Sequence, residues 1–240
     1  MRIGIIAALP GELKPLVRGW HRMPVARGSG VRMWEAERFG NEVVAVCAGM
    51  GAAAALRAFT AAEHAGSLDK VLSVGWAGAL TDSEDISPVM SEIIDAQTGE
   101  RFALTGGKRK LRVVTTVLVS DANEKRRLYA SYGAVAVDME AATIARLAQM
   151  RGIPIGCFKV ISDGLNATLP DINPFIDVDG KLQLMRFLAY VAIRPKYWGS
   201  LIEMGRRSAK ASRRLAETID AFLSEPDLER WNRQGGAKHE

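Results

Sequence analysis

The chain has 240 residues, 48% of them hydrophobic and 25% charged, with a formal net charge of +5. Those figures describe one globular domain able to bury a core. No apolar run reaches the roughly 18 residues that a membrane-spanning helix needs, and Pro10 and Gly11 break the first run too early for a signal peptide. Cys47 and Cys157 sit in apolar runs and read as buried thiols of a reducing, cytoplasmic compartment. His21, His64 and His239 have no ligand spacing, so no metal is expected.

In chain order, residues 2–8 read as a buried strand, and Pro10-Gly-Glu12 opens a helix with proline in its first turn. Residues 31–39 and 42–48 form an expected hairpin about Gly40-Asn41. Gly49-Met-Gly51 turns into an alanine-rich helix, 52–65, which Gly66 ends. A strand over 69–75 leads into the turn Gly75-Trp76-Ala77-Gly78. Residues 92–96 and 101–104 flank a turn at Thr98-Gly99, then come a strand at 111–119 and a helix at 122–130.

Two short apolar runs end in acids: Ala134-Val-Ala-Val-Asp-Met-Glu140 and Pro154-Ile-Gly-Cys-Phe-Lys-Val-Ile-Ser-Asp163. They flank a helical pattern at 141–151. A strand–helix–strand unit predicts parallel strands, with Glu140 and Asp163 at one sheet edge, where open α/β folds bind ligands. Alternating strands and helices with added hairpins predict a three-layer α/β sandwich with a central mixed sheet. One domain spans 1–225, with basic amphipathic helices at 181–224 broken at Arg194-Pro195, and 226–240 reads as a flexible tail.

Each candidate residue also has a plain structural reading. Glu12 and Glu140 can simply complement helix dipoles, and Asp163 after Ser162 can be a cap or Asx-turn. Asp138 reads as capping or solvated. Gly49-Met-Gly51 is a tight turn more than a phosphate loop, because the full dinucleotide glycine pattern is missing.

Taken together and in order, Ile3-Gly-Ile-Ile-Ala-Ala8 with Glu12, Ala48-Gly-Met-Gly51, Val74-Gly-Trp-Ala-Gly78, Val137-Asp-Met-Glu-Ala141 and Val160-Ile-Ser-Asp163 resemble the nucleoside phosphorylase/nucleosidase superfamily. The resemblance covers roughly residues 1–165 and is greatest to 5′-methylthioadenosine/S-adenosylhomocysteine nucleosidases. Thr98-Gly-Glu-Arg-Phe102, residues 125–140 and the basic tail also resemble hopanoid-associated phosphorylases, which act on a lipid-linked adenosine.

The resemblance implies cleavage of the N-glycosidic bond of an adenine nucleoside without a cofactor. Asp163, held by Ser162, would protonate the base, which requires a carboxyl whose burial keeps its proton. Glu140 would stay ionised and accept the ribose hydroxyls, Met139 would pack on the ribose, and Glu12 would orient or deprotonate water. Gly75 would belong to the glycine turn of the site, and backbone groups near Ser120 to Asn123 would read the purine edge.

Three positions depart from the pattern. Trp76 stands where a small hydroxyl residue is usual, and would stack on a ligand or fill the pocket. Lys159 replaces an arginine whose bidentate geometry lysine lacks. Asn123 stands where a stacking aromatic is expected. Glu12 would repel phosphate and so favours water as nucleophile, while Lys14, Arg18 and Lys159 keep phosphorolysis open, as does a non-catalytic nucleoside-binding role. The family implies a homodimer or higher homo-oligomer.

Between positions 181 and 215 nine Lys or Arg oppose Glu203 alone, leaving about +8 there and about −3 elsewhere. That stretch reads as an amphipathic helix with a solvated basic face, or as a surface that meets anionic lipid, which would place the protein at the inner face of the membrane. Nucleic acid is not expected, because aromatic platforms for single strands are absent.

Overall fold

A computed structural model describes the chain except residues 84–87, 105–110, 168–169, 178–179, 181–182 and 226–240. Lys181 and the expected flexible tail therefore lie outside the described residues. Ten strands form one mixed sheet, β1 (Arg2–Ala7), β2 (His21–Arg22), β3 (Arg32–Arg38), β4 (Asn41–Cys47), β5 (Lys70–Ala79), β6 (Glu92–Asp95), β7 (Arg101–Ala103), β8 (Arg112–Thr115), β9 (Ala136–Asp138) and β10 (Ile155–Asp163). Their order is β2-β3-β4-β1-β5-β9-β8-β6-β7, with β10 also paired to β5. The helices are α1 (Pro10–Leu13), α2 (Ala52–His64), α3 (Ala122–Tyr132), α4 (Ala141–Met150), α5 (Leu184–Ala192) and α6 (Trp198–Leu223).

The central strands are apolar on both faces because helices cover both. On one side Leu13 of α1 and Leu215, Ile219 and Phe222 of α6 pack on Ile3, Ile5, Leu72 and Phe158. On the other, Ala58, Phe59 and Ala62 of α2 and Ile144 and Ala148 of α4 pack on Ile6, Val44 and Val71. This is the three-layer sandwich the sequence predicts. Among the described residues no helix is long and apolar enough to cross a membrane.

Three local expectations are corrected. The β3–β4 turn falls on Phe39-Gly40, one residue early: both have positive φ (50° and 72°), as a two-residue type I′ turn demands, and Asn41 already pairs with Arg38. Gly75 to Gly78 form no turn but continue β5, held by β10 from Lys159↔Gly75 to Asp163↔Gly78. The strands carrying the paired acids are not parallel neighbours, because β10 inserts beside β5 in parallel while β9 meets the end of β5 antiparallel. Their ends converge nonetheless, since Gly78 pairs with Val137 on one side and Asp163 on the other.

Candidate active site

The converging ends enclose a cavity of about 320 Å³, lined among others by Glu12, Trp76, Lys125, Met139, Glu140, Ser162 and Asp163. Two wider clefts share its wall: one of about 700 Å³ includes Lys125 and Asp163, and one of about 400 Å³ includes Ser162 and Asp163.

Glu12 is buried at the start of α1. Its Oε2 accepts the amides of Ala8 (2.9 Å) and Leu9 (2.6 Å), and its Oε1 accepts that of Trp76 (2.9 Å). It thus ties its own helix start to β5. A side chain at Gly75, where φ is 146°, would place its Cβ 2.7 Å from Glu12 Oε1. Glycine there makes room for the carboxylate. Burial pushes the Glu12 carboxyl above its ordinary range, against the pull of those amides and of the Lys159 charge.

Glu140 lies just ahead of α4. Its Oε1 accepts the Gly51 amide at 2.7 Å, so the Gly49-Met-Gly51 loop turns an N–H toward a carboxylate, with Gly49 and Gly51 both at positive φ. Burial, then the Asp138 charge, push Glu140 up to about 8, opposed by Lys159 and the Gly51 amide. The burial that would have to be overcome for Glu140 to act as an ionised acceptor is thus part of the site.

Asp163 also differs from expectation. Ser162 Oγ donates to its Oδ1 at 2.8 Å, but its Oδ2 is met by the Lys125 ammonium, which also donates to Gly164 O at 2.8 Å. The Lys125 side chain is 4% exposed and that of Asp163 18%. Asp163 is therefore not a lone acid in an apolar wall but half of an ion pair at the cavity surface. Gly78 permits this, since a Cβ there would stand 3.0 Å from Lys125 Cε and 3.1 Å from Asp163 Oδ2.

Lys125 is the residue that sequence reasoning missed. It sits in the charged run Asn123-Glu-Lys-Arg-Arg127, yet it and Leu128 are the buried residues of α3. The available signal was its i, i+3 relation to that one apolar residue. Asn123 is exposed, lines none of these clefts and accepts from Arg126 at 3.3 Å. The chain contributes Lys125 to the cavity from α3, while Ser120 lines it ahead of the helix.

Lys159 does not face the cavity. Its Nζ lies 2.7 Å from Asp138 Oδ2, the two side chains being 1% and 0% exposed. Burial acts to lower its pKa, but Asp138, Cys157 and Glu140 more than offset this and raise it above the ordinary value. Asp138 is buried, not solvated. It accepts Thr115 Oγ1 (2.7 Å) and the Ala141 amide (2.9 Å), and so also caps α4. Trp76 resolves toward packing: its indole N–H donates to Ser212 Oγ of α6 at 2.9 Å, and a Cβ on Gly11 would meet its ring at 2.9 Å. Met139 lines the cavity. Lys14 and Arg18 are exposed and outside it, so Lys125 is the one Lys or Arg on its described wall. Among the described residues no group of three or more His, Cys, Asp or Glu could hold a metal ion.

An α/β sandwich of this strand order is a fold that known proteins share. The family model of the phosphorylase superfamily matches residues 2–95 and 109–185, and the chain belongs to that superfamily. It is thus a member of a superfamily of enzymes. No curated protein matches the sequence. Among solved structures, it is similar to the 5′-methylthioadenosine/S-adenosylhomocysteine nucleosidase of Helicobacter pylori bound to a pyrrolidine inhibitor (TM-score 0.68, 16% identity, covering 93% of this chain and 97% of that one). It is similar to the Streptococcus pneumoniae nucleosidase with a transition-state inhibitor (0.67, 21%, 93% and 99%). It is also similar to the futalosine hydrolase of Helicobacter pylori (0.68, 15%, 95% and 98%). At these identities the likeness is one of fold.

Proposed function

We propose that this enzyme hydrolyses the N-glycosidic bond of a 5′-substituted adenine nucleoside, of the 5′-methylthioadenosine or S-adenosylhomocysteine type. The observation that carries the reading is the meeting of Glu12, Glu140 and Asp163, from three distant segments, on one cavity of nucleoside size.

In this reading the ribose hydroxyls donate to Glu140. Those donors, and the positive charge that grows on the sugar, favour the carboxylate against the burial that raises its affinity for a proton. Met139 packs on the ribose. Asp163, once it has taken up a proton from solvent, gives it to purine N7, and the Lys125 ammonium stabilises the carboxylate left behind. The C1′–N9 electron pair then leaves with the base. Ser162 holds Asp163 in place. Water adds at C1′ and gives its proton to Glu12, whose raised affinity for a proton suits a base with three amides fixing its direction. Solvent resets both ends. Phosphate as nucleophile is disfavoured, since among the described residues of the cavity wall the one Lys or Arg is Lys125, already paired.

The test is base release from a panel of 5′-substituted adenosines with and without phosphate. Adenine and free ribose, at a rate indifferent to phosphate, are expected. Ribose 1-phosphate would make the enzyme a phosphorylase, and tight adenine binding without any product would make it a binding protein.

A further inference from the structure

The solvent side of α5 is apolar. Met185, Leu188, Ala189, Ala192 and Ile193 are all exposed, at the i, i+3, i+4, i+7, i+8 spacing that gathers side chains on one side of a helix. Met185 is 78% exposed and Ile193 75%. The inner side is already committed: Phe187 and Val191 are buried, and Phe187 meets Phe175 edge-on with ring centroids 5.6 Å apart. The helix is thus apolar on two sides and covered on one.

The exposed stripe continues into α6. Trp198 Nε1 donates to Val191 O at 3.0 Å and ties the start of α6 to α5. Trp198 and Ile202, then Arg206, Lys210 and Arg213, follow one another on the exposed side of α6, while Ser208, Ser212, Leu215 and Ile219 face inward. Apolar side chains give way to basic ones along one ridge. Arg186 and Lys196 add charge beside the stripe; of the acids nearby, Glu203 is paired with Arg207 at 2.6 Å, Asp82 lines the cleft beside it, and Glu217 lies further along α6.

We infer that this ridge seats the protein on an anionic lipid bilayer. Exposed apolar residues at helical spacing, a tryptophan at the edge and a flanking basic row are the ingredients of an interfacial helix. A second copy of the chain would set two basic rows against each other, which like charges oppose. Negative headgroups match the row and leave the apolar stripe to the acyl boundary. The same two helices supply Phe187, Met204 and Ser208 to the cavity wall.

The test is flotation of the purified full chain with vesicles of phosphatidylcholine alone or of equal parts phosphatidylcholine and phosphatidylglycerol. Partition onto the anionic vesicles should be roughly tenfold stronger or more and should fall with added salt. Met185→Glu with Leu188→Glu, and separately Arg206→Glu with Lys210→Glu, should abolish the preference while the melting temperature holds, since these side chains are exposed. Release of adenine from water-soluble 5′-methylthioadenosine should be unchanged in the Met185/Leu188 variant. Equal partition onto both vesicles would overturn the inference. So would a homodimer that the Met185/Leu188 variant dissociates while vesicle binding persists, for then a second copy covers the stripe. A protein that floats with anionic vesicles but cleaves no nucleoside would leave this surface standing and remove the nucleosidase reading instead.

Discussion

Two lysine–aspartate pairs lie within a few residues of the cavity, and they differ in access. The side chains of Lys159 and Asp138 are buried, although Asp138 borders the cavity, whereas Lys125 and Asp163 are both part of its wall and the Asp163 side chain is partly exposed. The work of the sealed pair that the structure shows is electrostatic: the Lys159 charge opposes the rise in both Glu12 and Glu140. The open pair can touch substrate. In the proposed reaction the first sets the field of the site and the second delivers the proton.

The sharpest way to break this contrast is Asp163→Asn, which removes the proposed acid. A loss in kcat of about 10²–10⁴-fold is expected in a base-release assay, and an undiminished rate would sink the assignment. Lys159→Met attacks the sealed pair and leaves Asp138 as an uncompensated buried charge. A destabilisation of about 3–5 kcal/mol is expected by urea denaturation; a stable, fully active variant would show that the sealed pair does nothing. Lys125→Met should have the opposite profile, with little change in melting temperature and a kcat lower by roughly 10²-fold, the scale of one preorganised donor lost. Its pH–rate profile should also move, which a purely structural role would not produce.

The smallest effect concerns pH. The Glu140 carboxyl is raised from about 4.5 to about 8 in the fold, so between those values the folded chain binds a proton that the unfolded chain has released. Stability from this group is full below the lower value and is lost as pH rises through the upper one. Unfolding measured at pH 5 and pH 8 should show that decline in the native chain and a flatter one in Glu140→Gln.

How much of this could be read beforehand follows from physical reach. The layers were legible because apolar runs of strand and helix length alternate. The three acids were legible because each ends or follows such a run. Lys125 was hidden in a charged stretch whose obvious reading is a solvated face, and only the fold shows that one turn of it faces inward beneath Gly78. Lys159 looked anomalous among apolar neighbours, but its partner lies on another strand, so the pairing waits on topology. The same holds for strand direction: the helical crossover after Glu140 is plain, while the insertion of β10 beside β5 depends on which edge is vacant.

Ser212 bears on how the protein is made. Its hydroxyl donates to Gly11 O at 3.1 Å across 201 positions of chain and receives the Trp76 indole, so the last long helix locks the first short one. During synthesis Leu13, Leu16 and Val17 are translated nearly two hundred residues before Leu215 and Ile219, which pack in the same core. Contacts so remote in sequence form late. The cavity acquires its final wall, Met204 and Ser208, only after α6 has emerged from the ribosome, and until then the apolar face that Leu215 and Ile219 cover stays open.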